Sequence, residues 1–421
     1  MTWAFDRRSV LTGLGAATLT SALPARGQSV TARLIVVGGG FGGATAARRL
    51  KQLQPTASVT LIEPNRTYTA CPFSNLVIAG ERAMSEQVFT YDKIASEGVE
   101  LVHQIAVSVD SAARTVTLED GSILGYDRLI LSPGIEFRWN ALEGYDEAAA
   151  ELMPHAWKAG PQTTLLQQQL AALEDGEPVI MVVPPAPFRC PPGPYERASL
   201  IAHHLKTRKP RSKLIVLDAK DSFSKMALFQ EAWAQHYSNH LEWRGASDDG
   251  RVSRVNAASM SISTDFEEMS ASVINVIPPQ RAGAIARAAD VADATGWCPI
   301  NPVTFESKLV EGIHVIGDAT IAAPMPKSAF SANLQGKLCA HAVSQILNGY
   351  DPEATILANT CYSFTTPQQA VSIVGVYNNG AGQFESIAGA GGLSPLTAPT
   401  EVRKTEAEQA RNWFSAITGE A

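Results

Sequence analysis

An α/β fold built on parallel sheets is what this sequence predicts, and three consecutive features of its early chain carry that expectation. A short apolar strand, Arg33-Leu34-Ile35-Val36-Val37, runs into Gly38-Gly39-Gly40-Phe41-Gly42-Gly43. The alanine-rich stretch Ala44-Thr45-Ala46-Ala47-Arg48-Arg49-Leu50 then reads as a helix, and a second strand, Val59-Thr60-Leu61-Ile62, closes on Glu63. Strand, G-x-G-x-x-G turn, helix, strand and terminal acid together form the dinucleotide-binding pattern of a Rossmann-like domain. Each part has a physical job. The glycines let the backbone approach a pyrophosphate whose charge rests on the helix N-terminus, and a carboxylate about 20 residues further on accepts ribose hydroxyls. Gly38, Gly40, Gly43 and Glu63 are therefore candidate cofactor-binding residues.

Length and composition bound the rest. At roughly 150 residues per domain, 421 residues predict two or three domains. A content of 45% hydrophobic and 18% charged residues describes an ordinary globular chain. A net charge of -7, with no extended cluster of Lys or Arg, argues against a nucleic-acid partner. The five cysteines include no C-x-x-C and no C-x-x-C-H, which excludes a zinc ribbon and leaves no c-type haem attachment site. Any haem involved is carried by another chain. The eight histidines show no ligand spacing; His203-His204 reads as an exposed helix pair, and no metal site is expected.

The first 28 residues read as an address. Arg7-Arg8 precedes Ser9-Val10-Leu11 and an apolar stretch to Ala25, with a small-x-small cleavage site at Ala25-Arg26-Gly27. This is the pattern of a twin-arginine signal peptide. It predicts a periplasmic mature protein that folds around its cofactor before export, in a compartment where disulfides persist.

Two later segments extend the first domain. Tyr126-Asp127-Arg128-Leu129-Ile130-Leu131-Ser132-Pro133-Gly134 is a strand ending in a glycine turn, and Gly312-Ile313-His314-Val315-Ile316-Gly317-Asp318 is a strand closing on an aspartate. The pair resembles the signatures of the FAD-dependent pyridine-nucleotide-disulfide oxidoreductase superfamily, which implies FAD contacts from Gly134 and from Asp318. That superfamily carries a second glycine fingerprint for NAD(P). Here the corresponding strand, Val179-Ile180-Met181-Val182-Val183, runs into Pro184-Pro185-Ala186-Pro187-Phe188-Arg189-Cys190-Pro191-Pro192. Prolines offer no N–H to a phosphate and their rings obstruct it, so NAD(P) binding is not expected and electrons must enter from another donor.

The resemblance then narrows. Phe188-Arg189-Cys190-Pro191-Pro192-Gly193-Pro194-Tyr195-Glu196-Arg197, Pro154-His155-Ala156-Trp157-Lys158, Ile277-Pro278-Pro279-Gln280-Arg281, Gly296-Trp297-Cys298-Pro299 and Pro324-Met325-Pro326-Lys327-Ser328 resemble the flavoprotein subunit of flavocytochrome c sulfide dehydrogenase. The similarity runs from about residue 31 to the C-terminus. It implies two Rossmann-like dinucleotide-binding domains of the disulfide-oxidoreductase type plus a C-terminal α+β interface domain. The expected division is 29–148 and 266–345 for the FAD domain, 149–265 for the second domain, and 346–421 for the C-terminal domain.

The same resemblance implies FAD tethered to Cys71, a redox-active disulfide between Cys190 and Cys361, oxidation of sulfide to elemental sulfur or polysulfide, and a c-type cytochrome subunit as partner. Glu196, six residues after Cys190, is the candidate acid or base for the sulfide proton. Lys327 is expected to place positive charge beside the flavin, and Arg189 to lower the Cys190 thiol pKa if it turns inward. Cys298 and Cys339 read as packed core. Two alternatives stay open: a sulfide:quinone oxidoreductase, and an accessory flavoprotein of a periplasmic sulfur-oxidising complex. Residues 400–412 look too charged to offer the apolar face that membrane docking requires, so no stable membrane insertion is expected.

Overall fold

A computed structural model of the chain describes residues 32–420. The signal peptide expected at 1–28 lies outside the described residues. The first sheet has five parallel strands in the order Ile313–Val315, Arg128–Leu131, Arg33–Val37, Ser58–Ile62 and Glu100–Val102. Its outermost strand comes from far along the chain, so one domain is assembled from two separated stretches. Leu34 to Val37, Leu129 to Leu131 and Ile313 to Val315 are all buried, as parallel strands covered on both faces must be. The helix Phe41–Leu53 follows the glycine turn and packs against the long helix Ala329–Leu347.

The central sheet is parallel too, in the order Leu241–Arg244, Leu214–Asp218, Val179–Val183 and Val273–Val276. That order moves one expected boundary. Val273–Val276 falls in the range assigned to the returning FAD domain, yet it pairs with Val179–Val182 in the central sheet. The chain crosses back only afterwards, where Gln280–Ala282 pairs antiparallel with Ile135–Phe137.

The C-terminal region is a hairpin of Ile356–Thr366 and Gln369–Asn378 covered by the helix Thr400–Thr418. This helix corrects the reading of residues 400–412 as almost without an apolar face. Ala407, Ala410, Phe414 and Ile417 recur at helical spacing and are buried, with Phe414 stacked on Phe73 at 4.5 Å between ring centroids. The charged residues on the inner side are neutralised in place: Arg403 pairs with Glu231 at 3.2 Å and Glu406 at 3.3 Å. The apolar stripe thus faces the protein interior. Among the described residues, no helix is long and apolar enough to cross a membrane.

Gly43 fixes how closely the fingerprint helix approaches its own turn, since a Cβ there would sit 1.8 Å from the Gly38 carbonyl oxygen. Gly43→Ala must push helix and turn apart, and overpacking of this kind costs about 1–3 kcal/mol. The expected outcome is a lower thermal midpoint and loss of flavin from the purified protein, read by calorimetry and by absorbance.

Candidate active site

One cavity of about 590 Å³ lies where the three regions meet. Its first half is made by the FAD-type signatures: Gly38, Gly40, Glu63, Gly134 and Asp318 all line it. The fingerprint helix starts at Gly40 with no side-chain cap and no acidic residue in its first turn, which leaves its N-terminal dipole open to a phosphate. Glu63 accepts the Gly39 N–H at 2.8 Å and the Asn65 backbone and side-chain N–H groups at 3.0 and 2.7 Å, fixing the turn around it. Asp318 has a buried carboxylate oxygen, Oδ1, with no hydrogen-bond partner. Burial pushes its pKa up against the pull of Arg189 and Lys327. An unfilled acceptor, an uncapped helix and a glycine cradle along one cavity fit a flavin dinucleotide. Gly43 does not line the cavity; it acts one layer behind, through the close approach described above.

Cys71 opens onto the same cavity, with its sulfur 3.5 Å from the Ala159 amide. Cys190 and Cys361 line it as well, the first from the central domain and the second from the C-terminal hairpin. No bond joins the two sulfurs in the structure. The Cys190 backbone is left-handed at φ 56°, a conformation costly for a residue with a side chain. It is held by a hydrogen bond from its N–H to the Lys327 carbonyl (2.8 Å) and one from Gly193 N–H to its own carbonyl (2.8 Å). Gly193 leaves room for both groups, because a Cβ there would meet Cys190 Sγ at 3.0 Å and the Trp157 ring at 2.8 Å and displace one of them. On Cys361, the sulfur accepts from Asn359 Nδ2 at 3.2 Å.

Around these thiols charge is gathered inside the protein. Glu196 accepts the Phe364 N–H at 2.8 Å and Asn75 Nδ2 at 2.8 Å. Burial raises its pKa, opposed by those hydrogen bonds and by Lys225 and Arg197. Arg197 is 2% exposed and spends its guanidinium on Asn75 Oδ1, Asn275 Oδ1 and the carbonyls of His155 and Ala156. Burial pulls it down to about 9. Arg189 does turn inward, donating to the Trp157 carbonyl, but its expected effect is overruled. Burial lifts the Cys190 thiol well above its ordinary value, and the Cys361 and Glu196 charges add to the rise that Arg189 and Lys225 only reduce.

Two further corrections follow from the geometry. Lys327 does not line the cavity: its ammonium donates to the carbonyls of Asp318 (2.9 Å) and Thr320 (2.6 Å) and lies 3.8 Å from the centre of the Trp297 ring. It braces the Asp318 turn from behind. His204 is buried rather than exposed, its two ring nitrogens 3.2 and 3.3 Å from the carbonyls of Ala79 and Leu170. Cys298 and Cys339 are core residues, both 0% exposed. Sequence reasoning missed Lys225, which stands in no motif, and assigned no role to Asn75 or Arg197.

Known proteins match this architecture. Residues 163–278 match the family model of the sulfide dehydrogenase [flavocytochrome c] flavoprotein chain, central, and residues 353–421 that of flavocytochrome c sulphide dehydrogenase, flavin-binding. Residues 32–171 match pyridine nucleotide-disulphide oxidoreductase. The sulfide dehydrogenase [flavocytochrome c] flavoprotein chain of Chlorobaculum thiosulfatiphilum is 57% identical over 47 residues, which are 11% of this chain and 98% of that sequence. The chain belongs to the flavocytochrome c sulfide dehydrogenase flavoprotein family. It is also similar to the mitochondrial sulfide:quinone oxidoreductase of Mus musculus, 21% identical over 76% of this chain and 72% of that one. In fold, the sulfide:quinone oxidoreductase of Aquifex aeolicus superposes with a TM-score of 0.71 over 92% of each chain, at 17% identity.

The second Rossmann-like domain lacks a comparable cradle. The acid that ends its second strand, Asp218, is 0% exposed and already accepts from Tyr195 Oη (2.7 Å), Lys220 Nζ (2.5 Å) and Trp243 Nε1 (3.1 Å). Tyr195 stacks on Phe223 with centroids 3.5 Å apart. A carboxylate used in this way has little left for a ribose, and the proline run supplies few amides for a pyrophosphate. NADH is therefore expected to leave the flavin oxidised; anaerobic mixing with NADH, followed at the flavin absorbance maximum, checks this, and rapid bleaching contradicts it.

Proposed function

We propose that this chain oxidises sulfide with FAD held covalently through Cys71 and with Cys190 and Cys361 as its redox pair. In this reading it is exported to the periplasm by residues 1–28 and passes electrons to a c-type cytochrome subunit. The observation that carries the reading is the meeting, on the wall of the flavin-type cavity, of a conformationally constrained Cys190, Cys361 and the half-buried Glu196. The family to which the chain belongs supports the same reading, and a sequence without C-x-x-C-H is consistent with a haem carried by a second chain.

The oxidised pair is an electrophile. Hydrosulfide attacks one sulfur of the disulfide; the new S–S bond makes a persulfide, the old S–S bond breaks, and its electron pair leaves on the other cysteine as thiolate. Glu196 takes the persulfide proton, a transfer helped by desolvation, which raises the carboxylate's pKa. The cations Arg189, Arg197 and Lys225 draw the anionic substrate inward and offset the thiolate. FAD, when bound, supplies a two-electron acceptor for the sulfur chemistry and a one-electron donor to haem. The sulfide:quinone alternative is disfavoured because the apolar stripe of the C-terminal helix is buried against Phe73 and the hairpin, leaving that face unavailable to a bilayer.

Cys190→Ser, Cys361→Ser and the double variant are expected to be about equally inactive toward sulfide, as residues sharing one step are. Flavin content and dithionite reduction are retained, because those bypass the pair. Stopped-flow bleaching by sulfide is the measurement, and wild-type rates in Cys361→Ser overturn the disulfide mechanism.

As a base Glu196 must be ionised, so sulfide turnover is lost as pH falls through its raised pKa. In Glu196→Gln that acid limb disappears and the residual rate is flat across it. A pH–rate profile of both proteins decides the point.

A further inference from the structure

Lys225 belongs to the central domain but spends its charge elsewhere. It stands at the entrance of the helix Met226–His236 with left-handed backbone, φ 63°, and is 5% exposed. Its ammonium reaches into the C-terminal hairpin and donates to the carbonyl of Cys361 at 2.9 Å, to Ser363 Oγ at 2.7 Å and to the carbonyl of Val371 at 3.4 Å. All three N–H bonds are thereby satisfied, and all three acceptors are neutral. The ionisable groups that face it from the surrounding elements are Glu196 on the helix Gly193–Arg208, Cys190 on the loop before that helix, Cys361 on the hairpin and Glu406 on the C-terminal helix.

A buried ammonium with hydrogen bonds but no ion pair is costly unless negative charge arises close by. The carboxylates Glu196 and Glu406 face it without forming an ion pair, and the sulfur chemistry proposed above adds a further negative charge at this place. We propose that Lys225 is a positioning residue that pins the Cys361 strand to the central domain and supplies the counter-charge for the thiolate released when the Cys190–Cys361 disulfide opens, so that it sets the redox equilibrium of the pair. The inference rests on the sulfide-oxidising reading. In the step concerned the S–S bond breaks, its electron pair stays on one cysteine sulfur, and the reductant's sulfur forms the new bond to the other. The Lys225 proton is not transferred; its charge alone lowers the energy of the anion. Burial holds the Lys225 pKa down to about 8, so the cation is present at neutral pH and fades within a measurable range.

The test is the thiol–disulfide equilibrium of the flavin-containing protein in mixtures of reduced and oxidised dithiothreitol, quenched with acid, alkylated and read by peptide mass. Removing the cation destabilises the anionic reduced form, so Lys225→Met is expected to shift the equilibrium toward disulfide by about tenfold at about pH 7. Lys225→Arg, which keeps the charge, stays within about threefold of wild type. The offset between wild type and Lys225→Met shrinks toward nothing by about pH 9.5, because the wild-type ammonium has then lost its proton. A residue that only anchors the strand gives an offset independent of pH. Lys225→Gln keeps hydrogen-bonding capacity, loses only the charge, and reads the same offset where methionine prevents folding. A neutral variant with the wild-type equilibrium, or an offset constant across that pH range, overturns the inference and leaves the sulfide-oxidising reading standing. Oxidised wild-type protein that yields no Cys190–Cys361 linked peptide overturns that reading, and the inference with it.

Discussion

The hydrogen bond from the Cys190 N–H to the carbonyl of Lys327, 2.8 Å long, is the joint on which the site depends. It ties the proline-framed loop of the central domain to the second stretch of the FAD-type domain, and so brings the candidate sulfur chemistry to the cavity that the glycine fingerprint builds. Lys327 is itself held by its side chain, whose ammonium binds the carbonyls of Asp318 and Thr320. One residue therefore sets the height of the Asp318 turn with its ammonium and the place of Cys190 with its backbone. The left-handed conformation of Cys190 persists because this clamp, the Gly193 N–H and the packing of Trp157 over-determine it.

Charge inside the cavity wall is arranged on a different principle from charge at the surface. The exposed pair Arg33–Asp127, at 3.1 Å, is screened and contributes little. Arg197 and Lys225 are buried and have only neutral acceptors in contact, carbonyl and amide oxygens for the first, carbonyl and hydroxyl oxygens for the second. Such groups are a burden in a resting protein, since their desolvation is not offset by an anion in direct contact. They become favourable when an anion enters or forms. Asn75 links this charge to the acid, taking Arg197 Nε on its oxygen and giving its own N–H to Glu196. The arrangement holds Glu196 in one orientation while leaving its protonation open.

What the sequence revealed of all this follows from the range of the interactions. The fingerprint with Glu63 was legible because strand, turn, helix and acid are contiguous and each glycine answers a local steric demand. Cys190 and Cys361 meet only through the tertiary fold, so resemblance rather than spacing joined them. Lys225 was invisible: in Asp221-Ser222-Phe223-Ser224-Lys225 nothing separates it from a solvated lysine, and only the packing of the hairpin over the central domain turns it inward. Lys327 was misplaced because a lysine near a flavin signature satisfies an electrostatic expectation, whereas two carbonyls within reach claimed it first. The C-terminal helix was misread because its stripe rests on alanines up to Ala410 and gains its large residues, Phe414 and Ile417, only beyond residue 412. The domain boundary slipped for a related reason. A four-residue apolar strand, Val273–Val276, carries no mark of which sheet it joins.

The central domain shows how a nucleotide-binding scaffold is turned to another use without changing its fold. Its parallel sheet and the helix Gly193–Arg208 stand where such a domain has them. The turn between strand and helix, which in a nucleotide site offers amides to a phosphate, is here stiffened by prolines and closed by Cys190. Stiffening removes the donors and supplies rigidity at the same time. The first turn of that helix then carries Glu196 and Arg197, while the acid at the end of the neighbouring strand is consumed by Tyr195, Lys220 and Trp243. Denying a phosphate its amides and placing the cysteine are thus two results of one feature, the proline-rich turn that lines the flavin-type cavity.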